Sequence, residues 1–169
     1  MILYHGSNID IQKIELSKCN PNKDFGQGFY LTTIKEQAIR MAQRVSRMFG
    51  GNAVLNVYEF DDSILQKEDL NIRKFDSPSI EWAKFVITNR NASRTKNPQE
   101  DNNIDNRFDI VIGPIADDDL ALLFRQFTDG AISVETLVEE MKFKKLTNQY
   151  SFHTENAIKY LTKKGAENV

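Results

Sequence analysis

Short apolar runs alternate with stretches of helical spacing along the chain. Residues 2–5, 29–32, 53–60, 70–75, 108–112 and 149–153 are rich in β-branched, aromatic and aliphatic side chains, are bounded by turn formers, and read as strands. The clearest helix begins after Thr33, where Thr33 and Glu36 form a capping box. Ala38, Met41, Ala42, Val45 and Met48 then recur at helical spacing until Gly50 and Gly51 end it. A second helix is expected after Ser77 and Pro78, with Ile80, Ala83, Val86 and Ile87 on one face and Trp82 and Phe85 on a neighbouring one. Further helices are expected over residues 118–127, 133–143 and 155–164, the last stopping before Gly165. Six strands and several helices make an α/β or α+β domain, and their uneven separation does not imply a regular parallel wind.

One polar stretch interrupts the pattern. Residues 91–107, opening on Asn91 and closing on Arg107, are rich in Asn, Asp, Lys and Gln. That stretch exceeds the usual connection of roughly 4 to 6 residues, so it reads as a functional loop or a disordered one.

Composition narrows the class. A chain of 169 residues, 40% hydrophobic and 27% charged, is long enough for one domain with a sizeable core and too balanced for a disordered protein. The apolar runs are all shorter than the ~18 residues of a membrane span, so no membrane partner is expected. The first residues run directly into a strand without a basic leader, and Cys19 is the only cysteine, so a disulfide within the chain is excluded and a cytoplasmic location is expected. A formal net charge of −2 gives no global attraction to nucleic acid, although a local basic face is compatible with it.

Several chemistries drop out. Gly26-Gln27-Gly28 begins like a dinucleotide fingerprint, but the third glycine is missing and a strand follows where that motif needs a helix. There is no phosphate-binding loop, and His5, His153 and Cys19 lack metal-ligand spacing, so no metal is expected. What remains is His5-Gly6-Ser7 at the end of the first strand, and Gly26-Gln27-Gly28-Phe29-Tyr30 leading into the second. An imidazole beside a residue without a side chain suits close approach of a flat ligand. Taken singly, the first segment reads more simply as a strand end with an ordinary turn, and the second as a glycine turn before a core strand.

Together with Gln149-Tyr150-Ser151-Phe152-His153 late in the chain, these segments resemble the His-Tyr-Glu class of ADP-ribosyltransferases. More closely, the combination of Leu3-Tyr4-His5-Gly6-Ser7, residues 24–33, residues 57–61, residues 108–118 and residues 151–155 resembles the bacterial DUF3990 family over nearly the whole chain. The resemblance implies an ADP-ribosyltransferase-like split β-sheet core with flanking helices, gripping NAD⁺ in an extended cleft. It implies that His5 bonds a ribose, that backbone groups of Gly6 pair with the nicotinamide carboxamide, and that Tyr30 stacks on the nicotinamide ring. Ser7 and Gly28 would line the same site, and Met41 stands where the class often carries a second aromatic, although core packing on its apolar face accounts for it equally. Gln149 stands where the class has its catalytic glutamate.

A glutamine accepts a hydrogen bond but carries no charge, which puts full transferase activity in question. Glu155, Asp117 and Asp118 are candidate substitute carboxylates, each at a helix start where acids are favoured electrostatically in any case. The expected activity is mono-ADP-ribosyl transfer from NAD⁺ to a macromolecular acceptor, protein or nucleic acid, in the manner of a toxin with an antitoxin protein as partner. The alternative is an NAD⁺- or ADP-ribose-binding module, a sensor or partner-binding domain without turnover; RNA 2′-phosphate transfer ranks below both. Arg40, Arg44 and Arg47 on one helical face, with the polar loop, are the candidate acceptor surface, solvation being the plainer account of the arginines.

Overall fold

The computed structural model describes residues 1–66, 68–91, 101–114, 118–142 and 147–169, with the backbone alone at 118–121 and 142. Strands β1 (Ile2–Ser7), β2 (Phe29–Thr32), β3 (Val54–Phe60), β4 (Ile72–Lys74), β5 (Ile110–Pro114), β6 (Asn148–Phe152) and β7 (Leu161–Asn168) form one sheet. Its order is β4-β5-β6-β2-β1-β3-β7, and every neighbouring pair is antiparallel except β4 with β5. Helices are α1 (Lys35–Phe49), α2 (Ile80–Arg90), α3 (Asp118–Thr128), α4 (Val134–Lys142) and the single turn α5 (Glu155–Ile158). The α+β expectation holds.

The sheet is continuous in hydrogen bonding but unevenly joined. Six residue pairs register β1 against β3, and four register β2 against β6. Between β1 and β2, at the middle of the sheet, the single registered pair is Tyr4 with Thr32. Below that pair the two strands no longer share a ladder.

Alternation of side chains along the strands sends two sets to opposite faces. On one face Leu3, Phe29, Leu31, Tyr58, Ile110, Ile112 and Phe152 pack with Ile14, Ile64 and Leu70 from the loops in a core that runs across the β1–β2 junction. On the other face Val111 packs with Phe25 and Phe75 and with Trp82, Phe85, Val86, Leu137 and Met141 from α2 and α4. On that face α1 lies against β1 and β3. The contact requires Gly6, where a Cβ would stand 2.0 Å from the carbonyl oxygen of Ala38 and 2.6 Å from the amide nitrogen of Ala42.

Three expectations change. The helix over 155–164 is one turn long, because Thr154 caps it through the amide of Ala157 and the chain then pairs as β7 along the free edge of β3 from Leu161 to Asn168. Open backbone groups on β3 outweigh a short helical period there. The capping residues also move. Helix α1 starts after Ile34, with Thr32 rather than Thr33 bonding the chain through the Ile34 amide at 3.1 Å. Helix α2 is capped by Ser79, whose hydroxyl accepts from Trp82 N at 3.1 Å, and it buries Trp82 and Phe85 while leaving Ile80 exposed. The end of the fourth expected helix, at Phe143, lies outside the described residues.

Candidate functional site

His5, Tyr30 and Gln149 fall on β1, β2 and β6, three strands adjacent at the centre of the sheet. Tyr4, Thr32, Gln149 and Gly113 form one registered row across four strands, so Gln149 lies two strands from the neighbour of His5. The side chains diverge. His5 shares a face with Phe29, on which its ring stacks at a centroid distance of 4.4 Å, whereas Tyr30 and Gln149 belong to the face covered by α2 and α4. A molecule touching all three has to pass through the junction of β1 and β2.

His5 sits where that junction opens. Its Nδ1 lies 2.7 Å from the carbonyl oxygen of Tyr30, and because a carbonyl only accepts, Nδ1 carries the proton. Burial holds the imidazole below its ordinary pKa against the raising effect of that bond, so the ring is neutral at pH 7. Nε2 then presents a bare lone pair. Among the described residues it accepts no hydrogen bond, and the side chain is partly exposed. That is an acceptor fit for a sugar hydroxyl.

Tyr30 is more firmly tied. Its hydroxyl donates to the carbonyl of Gly26 at 2.6 Å and accepts from the amide of Phe25 at 3.0 Å. Burial, followed by the negative charge of Asp24, raises the phenol well above its usual range, so it never ionises at ordinary pH. The hydroxyl clamps the loop before β2, leaving only the ring for contact with a ligand. That ring lies near Phe25 and edge-on to His153.

The glycines have structural work of their own. Gly26 has φ +91°, a conformation costly for other residues, and fits against the backbone of Asn103. A Cβ on Gly28 would stand 2.6 Å from Nδ1 of His153. His153 uses that space to donate from Nδ1 to the carbonyl of Gln27 at 2.8 Å, with Nε2 2.8 Å from the hydroxyl of Ser151, and burial lowers its pKa to about 4. Ser7 Oγ accepts from the amide of Ile9 at 3.4 Å. Met41 is 45% exposed beside the Ala42 that meets Gly6, so core packing does not account for it.

Gln149 has a partner that pattern reading missed. Its Nε2 donates to Oδ2 of Asp24 at 3.3 Å, while Oδ1 of Asp24 accepts from Arg90 Nε at 2.8 Å. Asp24 is 7% and Gln149 9% exposed. Asp24 stood inside the glycine loop segment, but its link to Arg90, far along the chain, leaves no local pattern. Of the carboxylates singled out from sequence, Glu155 lies at α5 beside Gln12, Tyr58 and Lys163, away from Gln149. Asp117 and the Asp118 side chain lie outside the described residues.

The remaining surface features are less concentrated. Arg40, Arg44 and Arg47 are exposed along α1. Of the polar loop, residues 92–100 lie outside the described residues, but its end is docked: Asn102 and Asn103 are buried, and Asn103 accepts from and donates to Phe108 and gives its amide to Asn89 Oδ1 at 2.9 Å. Two shallow concavities of about 210 and 220 Å³ are lined by residues around Tyr58 and around Arg90, and neither is lined by His5, Tyr30 or Gln149. Among the described residues there is no cluster of three or more His, Cys, Asp and Glu side chains fit to hold a metal, and no helix is long and apolar enough to cross a membrane.

A family model described as "Protein of unknown function (DUF3990)" matches residues 1–162, and the chain belongs to that family. No curated protein and no solved structure matches the chain.

Proposed function

We propose that this member of the DUF3990 family is an NAD⁺-dependent mono-ADP-ribosyltransferase acting on a macromolecular acceptor, protein or nucleic acid, with the junction of β1 and β2 as its substrate cleft. The observation that carries the reading is the single registered pair between those strands, with His5, Tyr30 and Gln149 on the three strands around it. A sheet whose neighbouring strands part beside an imidazole nitrogen with no partner among the described residues offers an acceptor to an extended ligand.

In the reaction the bond between ribose C1′ and the nicotinamide nitrogen breaks, and its electron pair leaves with nitrogen to give neutral nicotinamide. A lone pair of the acceptor forms the new bond to C1′, and the acceptor's proton passes to solvent. His5 Nε2 would hold a ribose hydroxyl, the Tyr30 ring would face the pyridinium, and Gln149 would accept from the hydroxyl beside the developing positive charge. A toxin of this kind would be held in check by a partner antitoxin protein.

One observation favours a second reading, an NAD⁺-binding module without turnover: the residue in the glutamate position is uncharged. Isotope-labelled NAD⁺ separates the two. Incubation with lysate fractions should release nicotinamide and place label on protein or nucleic acid, and His5→Ala should abolish both. Binding without release would support the module, and no binding at all would sink both readings.

A further inference from the structure

We propose that Asp24 and Gln149 act as one acid–amide unit, in which Asp24 carries the negative charge and Gln149 presents the oxygen that faces the substrate; the role assigned to that oxygen rests on the NAD⁺ reading above. An ionised carboxylate only accepts hydrogen bonds. The end of the Gln149 amide that meets Asp24 Oδ2 at 3.3 Å is therefore the NH₂ group, which fixes the flip of the amide. Oε1 is the end turned away, and among the described residues it accepts no hydrogen bond. A glutamine held this way offers the same outward acceptor as a glutamate, without its charge.

The charge lies one hydrogen bond behind. The two oxygens of Asp24 meet different partners: Arg90 holds Oδ1, with both Nε and the terminal nitrogen at 2.8 Å, and Gln149 holds Oδ2. The guanidinium, which also lies 5.0 Å over the Phe124 ring, occupies the far side of the carboxylate. The dipole of this ion pair thus points its negative end along the amide of Gln149. Asp24 and Gln149 are each more than nine-tenths buried, where a nearby charge polarises an amide more strongly than it does in water. Tyr30 belongs to the same assembly, since its hydroxyl closes the turn from Phe25 to Gly26 directly after Asp24, and the Asp24 charge is among the causes that raise its pKa. Asp24 is a positioning residue in this scheme, and Gln149 is the residue that would touch substrate.

The arrangement changes what the obvious substitution reports. Gln149→Glu alone places two carboxylates in contact, where both cannot ionise comfortably. Exchanging the two functions, Asp24→Asn with Gln149→Glu, re-forms the hydrogen bond with its donor and acceptor reversed and moves the charge to position 149.

Four full-length proteins test this: wild type, Asp24→Asn, Gln149→Glu and the double exchange, each followed by melting temperature at pH 8 and by nicotinamide release from NAD⁺. Asp24→Asn should lower kcat about tenfold to a hundredfold while KM stays within about twofold. Gln149→Glu should melt lower, by about 2–4 °C for each kcal/mol lost in a domain of this length. The double exchange should recover both the melting temperature and the release, which a purely structural salt bridge to Arg90 would not do. Additive melting shifts in the double exchange, or wild-type release by Asp24→Asn, would overturn the proposal. Strong coupling in melting with no nicotinamide release from any protein, wild type included, would uphold the pair and sink the transferase reading instead.

Discussion

Gly6 and His153 show how a residue singled out for ligand chemistry can carry the fold at the same time. Gly6 is the point at which α1 reaches β1, and a methyl group there would stand within 2.0 Å of a helix carbonyl. Gly6→Ala should therefore cost roughly 1–3 kcal/mol or more, read by urea denaturation without any ligand, because backbone rather than a flexible side chain has to move. An undiminished midpoint would mean that α1 does not rest there. His153 makes a second prediction, set by pH. Its pKa is lowered to about 4 in the folded chain, against about 6.5 in an unfolded one. Between those values the unfolded state binds the extra proton, so stability is complete above about pH 6.5 and declines as pH falls toward 4. The contribution lost is about 3 kcal/mol. Burial of His5 adds in the same direction. His153→Gln should flatten the decline of unfolding free energy over that window, and an unchanged slope would assign the effect to other groups.

Helices and strands sort by how local their determinants are. The strand at residues 29–32 and the long helix after it were legible because a glycine turn, an aromatic run and a helical period all lie within some twenty-five positions; they form β2 and α1. β7 was not, since residues 161–168 carry no strong alternation and become a strand only because β3 offers them an edge. The candidate site divides in the same way. His5, Tyr30 and Gln149 could be named from motif resemblance, and the sheet order brings their strands together. Asp24 could not, because what distinguishes it is Arg90 on α2 and Gln149 on β6, contacts made only by folding. The loop between α2 and β5 illustrates the consequence for experiment. Removing 91–107 entire would take away Asn103, which bonds Asn89 and Phe108 and lies against the Gly26 turn that Tyr30 closes. Deleting only 92–100, with a short glycine linker, should keep the melting temperature within a few degrees and leave NAD⁺ binding intact while abolishing transfer to the acceptor. Extending the deletion through Asn103 should unfold the α2 side by about 1–3 kcal/mol per buried group left unpaired. Equal melting of the two deletions would contradict the docking of Asn103.

At the scale of the whole molecule, the two faces of the sheet hold the β1–β2 junction by different means. The core containing Leu3, Phe29, Tyr58, Ile110 and Phe152 crosses the β1–β2 junction and ties the two halves together. On the opposite face, α1 packs on β1 and β3 and reaches across the junction to β2, where Thr32 donates to Gln37 at 2.7 Å, while α2 and α4 serve β5. The weak line of the sheet is thus its short β1–β2 ladder, backed by a core that prevents complete separation. Backbone amides near such a line open at lower free energy than those in a full ladder. Amide hydrogen exchange should therefore be faster at residues 5–7 and 28–31 than along β3, which is paired on both sides, in the free protein. Saturating NAD⁺, at about a hundred times its Kd, should stabilise the fold by about 2.7 kcal/mol and slow exchange at those same positions. The rival location is the concavity of about 210 Å³ on the face of that core, where the buried Tyr58 hydroxyl has no partner among the described residues and Gln12, Glu155 and Lys163 stand around it. Protection concentrated at residues 12–14 and 155–163, with residues 5–7 unchanged, would move the nucleotide to that face and detach it from His5, Tyr30 and Gln149 altogether.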